Sequence, residues 1–177
     1  MSKKAKANLT EYISRKEISK RLKEIAKKIN KDYKGRKPIF IGILNGSFIF
    51  LSDLIREIKI ECEIDFLKLS SYGDEKISSG DVKMLKELNC QIENRDIIVV
   101  EDIVDSGLSA SFIKNIIEQK NPSSLRFISL LFKKNTSNLD FKIDYIGFKI
   151  DNKFVVGYGL DYAQKYRNLK AIYVLHS

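Results

Sequence analysis

Residues 99–109 read Val-Val-Glu-Asp-Ile-Val-Asp-Ser-Gly-Leu-Ser, which places three carboxylates (Glu101, Asp102, Asp105), two hydroxyls (Ser106, Ser109) and one glycine (Gly107) in a single short segment. The β-branched run over 97–100 just before it reads as a buried strand with acids at its C-terminal end. After it, Phe112, Ile113, Ile116 and Ile117 predict the inward stripe of a helix over 109–119. In an open α/β sheet, ligands sit beyond the carboxyl ends of strands, and this segment leaves such an end and enters a helix. Gly107 allows close backbone approach, and successive N–H groups together with the Ser106 and Ser109 hydroxyls can surround a phosphate at the helix N-terminus. The neighbouring carboxylates would repel that phosphate unless a divalent cation or the hydroxyls of a sugar occupy the acid side. A sugar phosphate with Mg²⁺ satisfies both halves. A strand end meeting solvent, or the acids of a nucleotide-hydrolysing site, are the other readings of the same residues.

Nucleotide hydrolysis on a P-loop needs Gly-x-x-x-x-Gly-Lys-Ser/Thr, which the chain lacks. Gly157-Tyr158-Gly159 opens like a dinucleotide fingerprint, but Tyr162 stands where the third Gly or Ala belongs and no long helical pattern follows. Of 177 residues, 32 are Lys or Arg and 23 Asp or Glu, giving a net charge of +9. That excess permits phosphate-bearing partners without demanding nucleic acid. Cys62 and Cys90 are too few for a disulfide framework, and residues 1–6 are polar where a secretory signal would be apolar, so a reducing cytoplasm is expected. The longest uncharged apolar stretch, over 39–52, contains Asn45, Gly46 and Ser47 and falls short of the roughly 20 residues of a bilayer crossing, so no membrane association is expected.

The elements that must position the acidic segment follow from periodicity. Residues 1–8 are short, polar and basic, a frayed end, and structure is expected to begin near Ser14. Ser14 with Glu17 forms a capping-box pattern, and Ile18, Leu22, Ile25 and Ile29 make one helical stripe that stops near Gly35. Residues 39–44 read as a buried strand, Asn45-Gly46-Ser47 as a turn, and 47–57 as a second helix. A strand over 60–69 alternates Ile60, Cys62, Ile64 and Phe66 with Glu61, Glu63 and Asp65, so its acidic face is expected to be wet. Residues 70–80 are polar and aperiodic, the composition of a mobile lid. Residues 82–88 read as strand or helix, 125–132 as a strand, and 145–150, 154–157 and 171–175 as shorter strands. Alternating units, with no repeat, linker or composition break, predict one α/β domain over 1–177, its sheet mostly parallel and flanked by helices.

The run over 100–109 resembles the phosphoribosyl diphosphate signature of type I phosphoribosyltransferases, and three further segments resemble the hypoxanthine-guanine phosphoribosyltransferase family. Ile43-Leu44-Asn45-Gly46-Ser47 is similar to its diphosphate loop and Ser70-Ser71-Tyr72-Gly73 to its lid. Lys153-Phe154-Val155-Val156-Gly157-Tyr158-Gly159-Leu160-Asp161-Tyr162, continuing through Arg167, is similar to its purine-binding end. The likeness spans residues 11–175 and implies the type I fold with a small hood of terminal segments. It implies transfer of 5-phosphoribosyl from phosphoribosyl diphosphate to N9 of hypoxanthine or guanine, giving IMP or GMP and diphosphate, with Mg²⁺, in a homodimer or homotetramer.

Residue by residue, the resemblance makes Asp105 the general acid/base beside purine N7 and has Tyr72 close over the reaction centre. Glu101 and Asp102 would bind ribose hydroxyls directly or through Mg²⁺. Asp105, Ser106, Gly107, Leu108 and Ser109 would hold the 5′-phosphate, and Asn45, Gly46 and Arg167 the diphosphate. Lys133 would donate to the purine 6-oxygen, Phe154 would stack on the ring, the main chain at Val155 would read its edge, and Asp161 would hold a metal-bound water. Taken alone, Lys133 reads as a solvated lysine and Phe154 as core. Asn45 stands where many members have Lys, Phe132 where bacterial members have Asp, and Ser106 and Ser109 where Thr is frequent. His176, the only histidine, has no visible partner. An RNA-binding regulator built on the same ribose-phosphate loop is the alternative; it lacks a basic stripe with interleaved aromatics.

Overall fold

The computed structural model describes residues 8–70, 83–134 and 139–176. Its first element is a strand, β1 (Asn8–Ile13), followed by α1 (Arg15–Asp32). Order therefore begins before Ser14, and Asn8 belongs to a strand rather than to a frayed end. β1 reads Asn-Leu-Thr-Glu-Tyr-Ile, too mixed to show a period, and it is a strand because β9 (Ile172–His176) pairs with it antiparallel from the far end of the chain. The α1 cap is the expected reciprocal one: Ser14 Oγ accepts the Glu17 N–H at 3.3 Å, and the Glu17 carboxylate accepts the Ser14 N–H at 2.8 Å. Ile18, Leu22, Ile25, Ala26 and Ile29 form its buried face.

The remaining strands of the main sheet are β2 (Ile39–Leu44), β3 (Glu63–Ser70), β4 (Lys83–Lys86), β5 (Asp96–Val104), β6 (Ser124–Lys133) and β7 (Tyr145–Ile150), in the order β4-β3-β2-β5-β6-β7. Every neighbouring pair is parallel except β3 with β4. On one face α1 and α2 (Phe48–Glu57) pack over Phe40, Ile98, Val100, Ile128 and Leu130. On the other, α3 (Leu108–Glu118) packs over Ile39, Ile41, Ile97, Val99 and Phe127. The central strands are thus covered on both sides, which is why they read as continuous apolar runs. In α3 the fully buried positions are Ala110, Ile113 and Ile117, while Phe112 and Ile116 flank the stripe. A second, antiparallel sheet, β1-β9-β8 with β8 (Val155–Val156), is the hood of terminal segments. Residues 71–82 lie outside the described residues, and with them Tyr72 and nearly all of the expected lid over 70–80.

The phase expected for β3 is inverted at its centre. Asp65 is buried, with 6% of its surface exposed, whereas Ile64 is 46% exposed. The segment after β4 covers that face of the sheet and brings N–H groups with it. Asp65 accepts from the N–H groups of Asn89 at 2.6 Å, Cys90 at 2.9 Å and Phe66 at 2.7 Å, and from the Lys86 ammonium at 3.2 Å. Burial pushes the Asp65 carboxyl up, but these donors outweigh it and hold the group at about 2. The folded value lies below the roughly 3.9 of an unfolded Asp, so the stabilisation is present above about pH 4 and is lost as pH falls through about 2. Asp65→Ala should lower the unfolding free energy by about 2–4 kcal/mol at pH 7 through orphaned donors, and by progressively less toward pH 2. Urea unfolding of both proteins at pH 7 and pH 3 measures the difference; an unchanged gap between the two pH values would remove the charged carboxylate from the explanation.

Candidate active site

β5 runs past the four β-branched residues and keeps pairing through Val104, so Glu101 lies within the ladder, in register with Ser129 of β6. Glu101 is 6% exposed. Burial, then the neighbouring Asp102 charge, pushes its carboxyl well above the usual range. Asp102, half-buried, is pushed up to about 6, first by burial and further by Asp161, against the opposing pull of backbone N–H groups and Arg167.

The chain after β2 closes on these acids. Ser47 Oγ donates to the Ile43 carbonyl at 2.7 Å, the Leu44–Asn45 peptide is cis, and Gly46 lies so near Asp102 that an added methyl would stand 1.7 Å from Asp102 Oδ2. Only a residue without Cβ fits there. The hairpin after β8 stacks on the same loop: a methyl on Gly159, whose φ is +102°, would meet the Gly46 carbonyl oxygen at 2.2 Å. Arg167 locks that hairpin, donating to the Gly159 carbonyl at 2.7 Å and pairing with Asp161 Oδ1 at 2.7 Å, while Asp161 Oδ2 accepts the Gln164 N–H at 2.7 Å. Asn45-Gly46, Asp102, Asp161 and Arg167, far apart in sequence, thus form one group.

Beyond β5 the chain turns through Gly107, φ +86°, which caps α3; the Leu108 N–H reaches Ser106 Oγ at 3.4 Å. A cavity of about 260 Å³ opens there, lined by Glu101, Asp105, Ser106, Gly107 and Ser109 among others. At its edge Lys133, the last residue of β6, donates from Nζ to Asp105 Oδ2 at 2.6 Å and to Asn152 Oδ1 at 3.2 Å. Lys133 is 9% exposed, so it is no solvated lysine. Phe154 is 53% exposed, so it is no core residue; it meets the Tyr162 ring edge-on at 5.7 Å. Val155 is buried and opens β8, opposite Val174. His176 lies on the hood beside Thr10 Oγ1, at 3.0 Å. Asn152 was not singled out from the sequence: nothing in its residue type distinguishes it until β6 and β7 fix what lies opposite.

This arrangement is shared with known proteins. The profile of the phosphoribosyl transferase domain matches residues 9–163. The hypoxanthine-guanine phosphoribosyltransferase of Bacillus subtilis is 43% identical over 163 residues, 92% of this chain and 91% of that protein. The chain belongs to the hypoxanthine-guanine phosphoribosyltransferase family. A solved structure of a hypoxanthine-guanine phosphoribosyltransferase from Bacillus anthracis superposes with a TM-score of 0.91 at 40% identity, covering 97% of this chain and 100% of that one. The bifunctional protein TilS/HprT of Listeria monocytogenes is 41% identical over 163 residues, and there the chain spans 25% of the relative's length.

For this family member the acid side has the chemistry of a hard-cation site. Glu101 and Asp102 are adjacent carboxylates removed from water, and both are charged more readily when a cation shares their oxygens. Among the described residues no group of three or more Asp, Glu, His or Cys side chains is gathered closely enough to hold a metal ion. Asp161 already spends both carboxylate oxygens on Arg167 and Gln164.

The raised value of Asp102 has a sign that can be measured. A folded pKa of about 6, above the unfolded 3.9, means the native protein holds the extra proton between these values. Ionisation of Asp102 therefore opposes folding, and its share of stability is lost as pH rises from about 4 through about 6. Without ligand or metal, Asp102→Asn should be the more stable protein at pH 8, by up to about 3 kcal/mol, and lose that advantage near pH 4. Thermal melting across this range measures it; a less stable variant at pH 8 would contradict the assignment.

Proposed function

We propose that the protein transfers the 5-phosphoribosyl group of phosphoribosyl diphosphate to N9 of hypoxanthine or guanine, giving IMP or GMP and diphosphate, in purine salvage. The observation that carries this is the Lys133–Asp105 pair at 2.6 Å on the rim of the cavity in front of Ser106, Gly107 and Ser109. A cationic donor suits a 6-oxo group, a carboxylate beside it suits a ring N–H, and the loop at the N-terminus of α3 suits a 5′-phosphate.

In the reaction the C1–oxygen bond to diphosphate breaks, the C1–N9 bond forms, and the base loses a ring proton. Asp105 takes that proton at N7, on the purine side of the ribose. Lys133 donates to the 6-oxygen, Phe154 stacks on the ring, and the main chain at Val155 reads its edge. Ser106, Gly107, Leu108 and Ser109 hold the 5′-phosphate. Asn45, Gly46 and Arg167 face the diphosphate, where Arg167 offsets the negative charge of the leaving group. Glu101 and Asp102 hold ribose hydroxyls and, with Asp161 nearby, Mg²⁺, which when bound neutralises the diphosphate. Because Lys133 pairs with Asp105, recognition of the 6-oxo group and acceptance of the ring proton depend on each other.

A homodimer or homotetramer and a cytoplasmic location belong to the same proposal; no helix among the described residues is long and apolar enough to cross a membrane. RNA binding draws support from net charge alone.

The decisive test is a steady-state assay with hypoxanthine, guanine and xanthine, each with phosphoribosyl diphosphate and Mg²⁺. Turnover is expected with the first two, and none with any base would overturn the proposal. Asp105→Asn should lower kcat by about 10²- to 10⁴-fold while the protein remains folded. Lys133→Ala should weaken hypoxanthine and guanine and reduce the preference over adenine, whose 6-amino group does not accept from an ammonium; an unchanged preference would take Lys133 out of the pocket.

A further inference from the structure

Asn152 lies in the turn that follows β7, and its surroundings give its carboxamide one direction. The Lys134 ammonium pairs with Asp151 Oδ1 at 2.8 Å, the Lys134 N–H reaches the Ile150 carbonyl at 3.1 Å, and the Lys153 N–H closes the turn on the Asp151 carbonyl at 2.8 Å. With Asp151 held by Lys134, the next side chain, Asn152, meets the enclosed ammonium of Lys133 at 3.2 Å. An ammonium can only donate, so the atom facing it is the carboxamide oxygen. The turn itself is exposed, and Phe154 follows two residues on.

From this juxtaposition, we infer that Asn152 is a positioning residue that sets the enzyme's preference at the 6-position of the purine by steering Lys133. The inference rests on the function proposed above. Lys133 carries its charge on a flexible four-carbon stem. Asp105, the nearer partner at 2.6 Å, draws that charge toward the ribose-phosphate loop, and Asn152 draws it from another side, toward the turn leading to Phe154. Drawn by both oxygens, the ammonium is aimed between them; without the Asn152 oxygen the balance moves toward Asp105. The contacts of this turn run to Lys133 and Lys134 at the end of β6, so the effect should be confined to the purine substrate.

The test uses the full chain carrying Asn152→Ala or Asn152→Asp, with kcat and KM measured for hypoxanthine, adenine and phosphoribosyl diphosphate, and the melting temperature alongside. Asn152→Ala should raise KM for hypoxanthine about tenfold and narrow the preference over adenine by a similar factor, while KM for phosphoribosyl diphosphate stays within about twofold. Melting should be unmoved, because an exposed turn residue contributes little to stability. Asn152→Asp keeps an oxygen in the same place and should restore the preference to within about threefold of wild type. Wild-type kinetics in Asn152→Ala, a parallel rise of both KM values, or no restoration in Asn152→Asp would each overturn the inference. Calorimetric titration of the same proteins with inosine and adenosine monophosphates reads the 6-position preference without turnover. A wild-type protein that bound the 6-oxo nucleotide but turned over no base would count against the proposed function and leave this comparison intact; equal preference in wild type and Asn152→Ala would count against Asn152.

Discussion

A strand buried on both faces cannot carry ionised side chains unless something nearby compensates them, and β5 carries Glu101 and Asp102 toward its C-terminal end. Burial holds both carboxyls up, with the Asp102 charge adding to it at Glu101 and the Asp161 charge at Asp102. Much of the surrounding architecture answers to that condition. Arg167 comes in from the hood side, the loop after β2 presses Gly46 against the Asp102 carboxylate, and Gly159 packs on the back of that loop. These contacts bring a cationic side chain and backbone rather than a second sheet strand against Asp102.

The half of the site around Lys133 is organised differently, with charges already paired. Lys133 and Asp105 neutralise each other at the ends of adjacent parallel strands, and Asn152 completes the approach from the next turn along the sheet. The polar atoms of this half therefore stand in place before any ligand enters, while Phe154 offers an exposed ring beside them. One half of the site gathers adjacent acidic side chains whose carboxyls burial pushes up, and the other a preset pair of donor and acceptor. Both halves hang on β5 and β6, whose register fixes the spacing between Glu101, Asp105 and Lys133.

Local pattern made much of the framework legible. The Ser14–Glu17 cap, the stripe of α1, the apolar runs of β2, β5 and β6, and the segment over 101–109 depend on neighbours within one turn or one strand, so their types and spacing carry the information. Where a partner lies far along the chain, pattern was silent or misleading. β1 is a strand only because β9 pairs with it, and Asp65 turns inward only because Lys86 at the end of β4 and the N–H groups of Asn89 and Cys90 after it come within reach. Lys133 and Phe154 each exchange the role their type suggests, a solvated charge and a core ring, for the opposite one.

By itself the sequence determined the alternation of strands and helices, the parallel sheet that follows from it, and the chemistry of the loop after β5, because hydrophobic period and turn residues act over a few positions. Tertiary structure alone decided that Gly46 must lack a side chain, that Asp161 is bound to Arg167, and that Asn152 faces Lys133. Those facts concern distances between segments brought together by crossover connections and by the hood. A residue's type records what it can donate, accept or bury; which group it meets is settled only when the sheet closes its register and the two chain ends pair.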